Sequence, residues 1–220
     1  MKLFDRAVAA PFRKSRFHDE KGNRIDAGGL IYAPAALTSA LLRVAFGRRP
    51  AQPLISYRAA KHLDRLLRKD WRGVEFGSGY STPWLANRLG FLLSIEDNSD
   101  WHRRVAGLLA GITPDAVRHE LRTAEAYADL AEFPDGFFDF ALVDGSRRAD
   151  CIAAVVPKVR PGGWLYLDNS DKDMTKPGGD LRRAETLLLE HVRRRGGDAR
   201  YFTDFAPTNF FVEQGLLVRL

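Results

Sequence analysis

Cysteine is scarce in this chain, because the 220 residues include only one, Cys151. A single cysteine excludes an internal disulfide and a zinc site built on several thiolates. A protein without disulfides suits a reducing compartment, so we expect it to be cytoplasmic. The five histidines form no ligand motif with one another, which removes the usual histidine-based zinc sites as well.

Long hydrophobic runs are also missing. The most apolar stretch, residues 27–42, contains Pro34 and ends before Arg43, and it falls short of the ~20 residues that a transmembrane helix needs. The N-terminus is charged, and no apolar signal-peptide run follows it. We therefore predict no membrane span, and we expect residues 28–55 to pack over a ligand pocket or to form a homodimer contact.

The charge balance is basic but not concentrated in one place. Lysine and arginine number 34 against 28 aspartates and glutamates, which gives a net charge of +6, and hydrophobic residues make up 45%. These proportions are typical of a globular protein, and the length suffices for one α/β domain with a modest extension. Because the basic residues are spread over the whole chain, they predict no specific nucleic-acid partner.

From residue 56 onward, predicted strands and helices alternate, which indicates a parallel sheet with helices on both faces. The last two extended runs have no helix between them and should pair as an antiparallel hairpin. The seven predicted strands are 73–76, 91–96, 117–121, 137–143, 164–167, 200–205 and 216–220. One helix is predicted to begin near Thr82, and the others cover 56–70, 99–109, 125–132, 149–156 and 180–194.

The first 55 residues have a different character. Residues 1–25 are polar and basic without periodicity, and they predict a poorly ordered arm. A glycine pair then precedes an apolar helix, Ala35–Phe46, and two prolines mark a linker. We therefore divide the chain into an N-terminal arm and helical extension, 1–55, and a main domain, 56–220.

A glycine-containing turn follows the first strand. Gly77 and Gly79 allow the backbone to turn sharply and to approach a ligand closely, and Glu75 stands just before them. Position 82 is threonine where a dinucleotide-binding fingerprint has its third glycine, so no pyrophosphate anchor is evident. Glu96 ends the next strand, where a carboxylate can accept both hydroxyls of a ribose.

Four segments of the sequence occur in the order and spacing of a known family. They are Glu75-x-Gly77-x-Gly79, Ser94–Ile95–Glu96, Leu142–Val143–Asp144–Gly145 and Arg160–Pro161–Gly162–Gly163. On these segments, residues 56–220 resemble the class I S-adenosylmethionine-dependent methyltransferases, and the glycine turn with Trp101 resembles a small-molecule or glycan-type subgroup. The resemblance implies a Rossmann-like, doubly wound, mostly parallel seven-stranded sheet with a C-terminal antiparallel hairpin and an N-terminal helical extension.

The same resemblance implies a set of residues that bind S-adenosylmethionine. Gly77 and Gly79 would border its methionine part, Glu96 would hold its ribose, and residues 123–125 would lie near its adenine. The implied cofactor-binding residues are Glu75, Gly77, Ser78, Gly79, Glu96 and Asp144.

Three oxygen-bearing side chains, Asp144, Asp168 and Asn169, end two strands that should be neighbours. An oxygen-only cluster suits Mg²⁺, and the arrangement resembles the metal site of catechol O-methyltransferase-like enzymes. However, Arg147 stands where that group has a lysine base, and an arginine cannot accept a proton. It can instead clamp an anionic substrate. We expect all four residues to line one pocket, with either Mg²⁺ there or a clamp by Arg147 beside Asp144, and the missing lysine favours the clamp.

The sequence thus predicts S-adenosylmethionine-dependent methylation of a small molecule or sugar, with O-methylation as the leading reaction. A nicotinamide-dependent oxidoreductase also needs a glycine turn and an acidic ribose ligand, but the missing third glycine disfavours it. A catalytically inactive methyltransferase-fold binding module is a further alternative, because the acceptor side carries no diagnostic motif.

Overall fold

One seven-stranded sheet organises the described part of the protein, which is residues 13–111 and 117–220 of a computed structural model. Its strands are β1 (Arg72–Phe76), β2 (Phe91–Glu96), β3 (Val117–Leu121), β4 (Phe138–Val143), β5 (Val159–Leu167), β6 (Asp198–Phe205) and β7 (Val212–Arg219). The helices are α1 (Ala27–Leu30), α2 (Ala33–Phe46), α3 (Tyr57–Leu66), α4 (Ser81–Ala86), α5 (Ser99–Leu108), α6 (Arg148–Val155) and α7 (Asp180–Arg195), with a 3₁₀ turn at Val156–Lys158.

The strand order is β3-β2-β1-β4-β5-β7-β6. Strands β1 to β5 pair in parallel, whereas β7 runs antiparallel to both β5 and β6. The predicted mostly parallel, Rossmann-like sheet with a C-terminal antiparallel hairpin is therefore confirmed. The direction of winding reverses between β1 and β4, and ligands of such sheets bind in the crevice outside the carboxyl ends of the strands at this point.

Helices cover both faces of the sheet, and this explains why its central strands are nearly continuous in apolar residues. In β4, Ala141 and Val143 pack toward α6 and α7, while Phe140 and Leu142 pack toward α3 and α4. Alternate residues of a strand point to opposite faces, so a strand covered on both sides needs apolar residues at successive positions. All six residues of β4 are buried.

Two local predictions in the main domain are wrong. The helix predicted over 125–132 is a series of turns, in which the Asp129 carboxylate accepts a hydrogen bond from the Ala131 amide at 2.8 Å. A short acidic side chain that bonds to nearby backbone competes with helix formation. The strand predicted over 164–167 begins earlier, at Val159, because residues 160–163 form an irregular first half of β5 where the register with β4 shifts.

The N-terminal part packs against the C-terminal hairpin. The predicted poor order does not hold for residues 13–25, where Asp19 and Ile25 are buried and His18 forms a bridge with Arg24; residues 1–12 lie outside the described residues. Helix α2 places Ala36 in a cluster with residues of β6 and β7. The division at residue 55 stays a prediction. Among the described residues, no helix has the length and apolarity needed to cross a membrane.

Candidate functional site

A cavity of about 300 Å³ lies at the carboxyl ends of β1, β2 and β4, where the winding direction reverses. Its walls come from the glycine turn after β1, from the end of β2 with the start of α5, and from the turn after β4. The lining residues are Leu54, Gly77, Ser78, Gly79, Tyr80, Ser81, Glu96, Asp97, Trp101, Asp144, Gly145 and Ser146. Five of the six predicted cofactor-binding residues line this one crevice: Gly77, Ser78, Gly79, Glu96 and Asp144.

Two glycines face each other across the floor of this crevice. Gly77 has a φ of +91°, and a Cβ atom there would lie 2.5 Å from the Cα of Gly145. A Cβ on Gly145 would in turn lie 1.9 Å from the Tyr127 hydroxyl oxygen. Both backbones therefore approach more closely than any side chain permits. Both glycines also line the cavity, so this part of its wall carries no side chain.

Glu75 supports the glycine turn from below and is fully buried. Its two carboxyl oxygens accept hydrogen bonds from the hydroxyls of Ser81 (2.5 Å), Thr82 (2.7 Å) and Ser94 (2.6 Å). The Thr82 hydroxyl oxygen also accepts a bond from the Gly79 amide at 2.8 Å. Threonine at position 82 thus ties the turn to the buried carboxyl group. Glu75 is not among the residues that line the cavity, so its contacts give it a positioning role.

A pH dependence of stability follows from Glu75. Burial raises the pKa of Glu75 to about 7 from an ordinary 4.5, and the three hydroxyl donors offset only part of this effect. A carboxyl group whose pKa is higher in the folded state binds its proton more tightly there, so stability falls as pH rises from about 4.5 to about 7. We therefore expect the melting temperature of the wild type to fall over this pH range, and that of Glu75→Gln to fall less. Circular dichroism measures both. An unchanged slope for the variant would contradict the assignment.

Glu96 presents a fixed carboxylate at the end of β2. It accepts hydrogen bonds from the backbone amides of Asp97 (3.1 Å) and Asn98 (2.9 Å) and from the Ser78 hydroxyl (3.2 Å). Burial raises its pKa, and these donors counteract the rise. A carboxylate held in this way at a cavity wall can accept further bonds from a pair of ligand hydroxyls.

The cavity walls also contain residues that were not predicted. The Ser146 hydroxyl donates to the Asp97 carboxylate, which connects the turn after β4 to the end of β2. The Trp101 indole nitrogen donates to the carbonyl oxygen of Ser78 at 2.5 Å. Trp101 was noted in the sequence for its place after Glu96, but nothing in the sequence distinguishes Ser146 or Leu54 as cavity residues.

The four residues expected to share an acceptor pocket do not do so. Asp144 lines the cavity, whereas Arg147, Asp168 and Asn169 are not among its lining residues. The Arg147 guanidinium bonds to the Asp150 carboxylate at 2.9 Å and to the carbonyl oxygen of Ala124. Its left-handed backbone (φ 48°) begins helix α6 and turns the side chain toward the 122–126 segment. Arg147 therefore does not form the expected clamp beside Asp144.

The next residue, Arg148, bonds instead to the residues that directly follow β4 and β5. Its guanidinium donates to the carbonyl oxygens of Gly145 (2.8 Å), Asp168 (2.6 Å) and Asp144 (2.9 Å). It also bonds to the Asp144 carboxylate at 3.0 Å. This side chain is only 11% exposed, so its positive charge lies among oxygen atoms at the junction of β4 and β5.

The predicted Mg²⁺ site does not fit these contacts. The Asp144 carboxylate, its first proposed ligand, is paired with the Arg148 cation. The Asp168 carboxyl is buried and accepts a hydrogen bond from the Tyr166 hydroxyl at 3.3 Å. Burial raises the pKa of Asp168 well above its usual range, and the negative charge of the adjacent Asp144 raises it further. Across residues 13–111 and 117–220, no three or more histidine, cysteine, aspartate or glutamate side chains come together as a metal site. The metal prediction is therefore not supported.

A larger hollow of about 620 Å³ lies elsewhere, beside the outer strand β6. Its lining includes Arg24, Arg58, Arg200 and Thr203, and it contains none of the predicted site residues. The smaller crevice is the better candidate because it lies where the sheet reverses its winding and where backbone glycines are required.

Comparison with known proteins shows which solved structures share this fold. No protein-family model matches the sequence, and no curated protein matches it either. Solved structures do match. A proposed O-methyltransferase from Klebsiella pneumoniae is 18% identical with a TM-score of 0.64, over 88% of this chain and 99% of that one. The O-methyltransferase TomG from Streptomyces achromogenes, involved in tomaymycin synthesis and solved with S-adenosylmethionine, is 22% identical with a TM-score of 0.57, over 89% and 96%. An O-methyltransferase from Bacillus cereus, in complex with S-adenosylhomocysteine, is 17% identical with a TM-score of 0.59, over 88% and 97%.

The chain has the class I methyltransferase fold. In this fold, the strand order seen here places the crevice between β1 and β4 at the centre of the sheet. Each of the three matches covers at least 88% of this chain, which is more than residues 56–220 alone, so part of the N-terminal segment is matched as well. At these identities the likeness establishes the fold, and the activity is argued from the residues of the crevice.

Proposed function

We propose that the protein is an S-adenosylmethionine-dependent methyltransferase that acts on a small molecule or a sugar. The observation that carries the proposal is the crevice floor, where Gly77 and Gly145 leave bare backbone beside the fixed carboxylate of Glu96. A nucleoside with a short polar tail suits this combination, because its ribose hydroxyls can donate to the carboxylate while its tail lies on the glycines.

Each end of the ligand has a proposed place. Gly77, Ser78 and Gly79 border the methionine part of S-adenosylmethionine. Asp144 lies beside this part, Glu75 fixes the glycine turn beneath it, and Glu96 holds the ribose. The adenine is placed near residues 123–125, close to the Ala124 carbonyl that Arg147 binds. This arrangement gives Arg147 a position beside the cofactor and away from the acceptor.

S-adenosylmethionine supplies the electrophilic methyl carbon when it is bound, so the protein needs no nucleophile of its own. What the chain contributes is alignment of an acceptor atom with that carbon, which alone can supply several kcal/mol of the barrier reduction, on the order of 7–11 in favourable cases. We place the acceptor beside Asp144, because that residue lines the crevice and its carboxylate is fixed by Arg148. O-methylation is the leading reaction, as in the two solved O-methyltransferases that carry the cofactor or its product.

A nicotinamide-dependent oxidoreductase remains the second candidate, and the start of α4 disfavours it. A dinucleotide needs free donors at this helix start for its diphosphate. Here the Gly79 amide donates to the Thr82 hydroxyl oxygen and the Thr82 amide donates to the Gly79 carbonyl oxygen, so neither backbone donor is free. The inactive-module alternative predicts the same cofactor binding without methyl transfer, so transfer of a labelled methyl group to a panel of phenols and sugars separates the two.

Glu96→Ala tests the proposed ribose contact. We expect the affinity for S-adenosylhomocysteine to fall roughly tenfold to a hundredfold, about 1–3 kcal/mol, since two ligand hydroxyls lose their acceptor. Isothermal titration calorimetry measures the change. Glu190→Ala, an exposed glutamate on α7, is the matched control and should bind as the wild type does. Equal affinities for the two variants would contradict the contact.

A further inference from the structure

The outer face of helix α2 is apolar although it faces solvent. Its exposed residues are Pro34, Ala35, Thr38, Leu42, Ala45 and Phe46. They recur every three or four positions, so they lie on one face of the helix. None is charged. Phe46 is 72% exposed and Leu42 40%, and Ile31, which precedes the helix in the same phase, is 69% exposed.

The opposite face of α2 is already committed to the protein. Ala36 packs with Phe205 and Val212 of the C-terminal hairpin, and Ala40 is fully buried next to Phe210. The helix is therefore apolar on both sides and held by one of them. A helix that is hydrophobic all round is normally covered all round, so the outer face calls for an external apolar partner.

The segment that carries this face, between Asp26 and Asp64, has charges of one sign. Residues 27–63 contain no aspartate or glutamate, whereas they contain four arginines and one lysine: Arg43, Arg48, Arg49, Arg58 and Lys61. Arg58 is neutralised by Asp26 and Asp204. Arg48 is exposed directly beyond the end of α2, and no ion pair joins it to another described residue.

We propose that the outer face of α2 docks onto the surface of an anionic lipid bilayer. Apolar side chains on one helix face enter the boundary between headgroups and acyl chains, while flanking arginines meet the anionic headgroups. A second copy of the chain fits less well, because self-pairing of this face would bring the arginines of two copies together without any acidic residue in the segment to balance them. A helix of 14 residues lies on a bilayer and does not cross it.

The docking face is connected to the crevice through the linker that follows it. The Arg49 guanidinium lies 5.8 Å from the ring centroids of both Tyr80 and Trp101, and Leu54 lines the cavity. The linker that follows the docking face therefore forms part of the crevice wall.

Vesicle co-sedimentation of the full chain tests this proposal. Vesicles of phosphatidylcholine alone are compared with vesicles containing 30% phosphatidylglycerol, on the order of the anionic content that makes polybasic contacts measurable. We expect binding to the anionic vesicles, weaker binding to the neutral ones, and release by salt. The double variant Leu42→Glu/Phe46→Glu should lower the partition coefficient at least about tenfold. The matched control Leu108→Glu/Leu187→Glu, at two exposed helix positions elsewhere, should bind as the wild type does.

Three outcomes would overturn the proposal. The first is no binding to either vesicle by the wild type. The second is an equal loss of binding in both double variants, since this would place the contact outside α2. The third is a wild-type dimer in sedimentation velocity that the Leu42→Glu/Phe46→Glu variant converts to a monomer while neither protein binds vesicles, which would make a second copy the partner. Circular dichroism of the variants establishes that each one is folded.

Discussion

Alanine at position 77 is expected to abolish ligand binding and to destabilise the protein, whereas alanine at position 79 is expected to leave its stability nearly unchanged. At Gly77 the φ of +91° disfavours any side chain, and a Cβ would lie 2.5 Å from the Gly145 Cα and 2.6 Å from its nitrogen. These are backbone atoms at the end of β4 and cannot move aside. We expect a loss of about 3–5 kcal/mol from backbone strain and overpacking together.

Gly79 is the matched control within the same motif. A Cβ there would meet nothing closer than the Ser81 hydroxyl oxygen at 3.7 Å, and its backbone is not left-handed. We expect Gly79→Ala to change stability by less than about 1 kcal/mol. Thermal unfolding should show a decrease of roughly 10 °C for Gly77→Ala and of a few degrees at most for Gly79→Ala. Similar melting temperatures for the two variants would contradict the close approach of β1 and β4.

Substitution of Arg148 by alanine is expected to destabilise the protein much more than the same substitution at the neighbouring Arg147. Arg148→Ala removes four hydrogen bonds at the junction of β4 and β5 and leaves the Asp144 carboxylate next to Asp168 without its counter-charge. Breaking a largely buried ion pair leaves an uncompensated charge, so we expect a loss of about 3 kcal/mol. Arg147→Ala removes a pair with Asp150 in which both side chains are about half exposed, and should cost less than about 1 kcal/mol.

Urea unfolding of the two variants measures this difference, and a metal titration complements it. Because Arg148 neutralises Asp144, millimolar Mg²⁺ should leave the melting temperature of the wild type unchanged. Arg148→Ala, in which the Asp144 carboxylate is freed, should gain stability from Mg²⁺. If the wild type is stabilised by Mg²⁺ and Arg148→Ala unfolds at the same urea concentration as Arg147→Ala, the assignment of Arg148 is wrong.

The sheet was predictable because its signals are local. Continuous apolar segments such as 138–143, the glycines of the turn at 77–79 and the helix-ending Gly196 each impose a conformation that neighbouring residues alone determine. The absence of a helical pattern between the last two strands likewise identified the hairpin. The predicted helix over 125–132 failed because the Asp129 carboxylate bonds to the Ala131 amide and competes with helix formation. Tyr127 and Leu130 are buried in the core, and their spacing in the sequence resembled that of a helix.

The cofactor side of the crevice was predictable and the acceptor side was not. Gly77 and Glu96 follow strands that the sequence marks clearly. Beyond β4, the direction of a side chain depends on a single backbone angle: with a φ of 48°, Arg147 turns away from the crevice and Arg148 takes the place beside Asp144. Two adjacent arginines look equivalent in sequence, and no periodicity distinguishes them. The apolar outer face of α2 was hidden for a similar reason, since the sequence does not show which side of an apolar helix the hairpin covers.

A crystal structure determined with S-adenosylhomocysteine tests the central claim most directly. The account predicts ligand density in the crevice between β1 and β4, with the amino-acid tail along Gly77, Ser78 and Gly79 and both ribose hydroxyls within hydrogen-bonding distance of the Glu96 carboxylate. An empty crevice at saturating ligand, or density in the hollow beside β6 in its place, would contradict it.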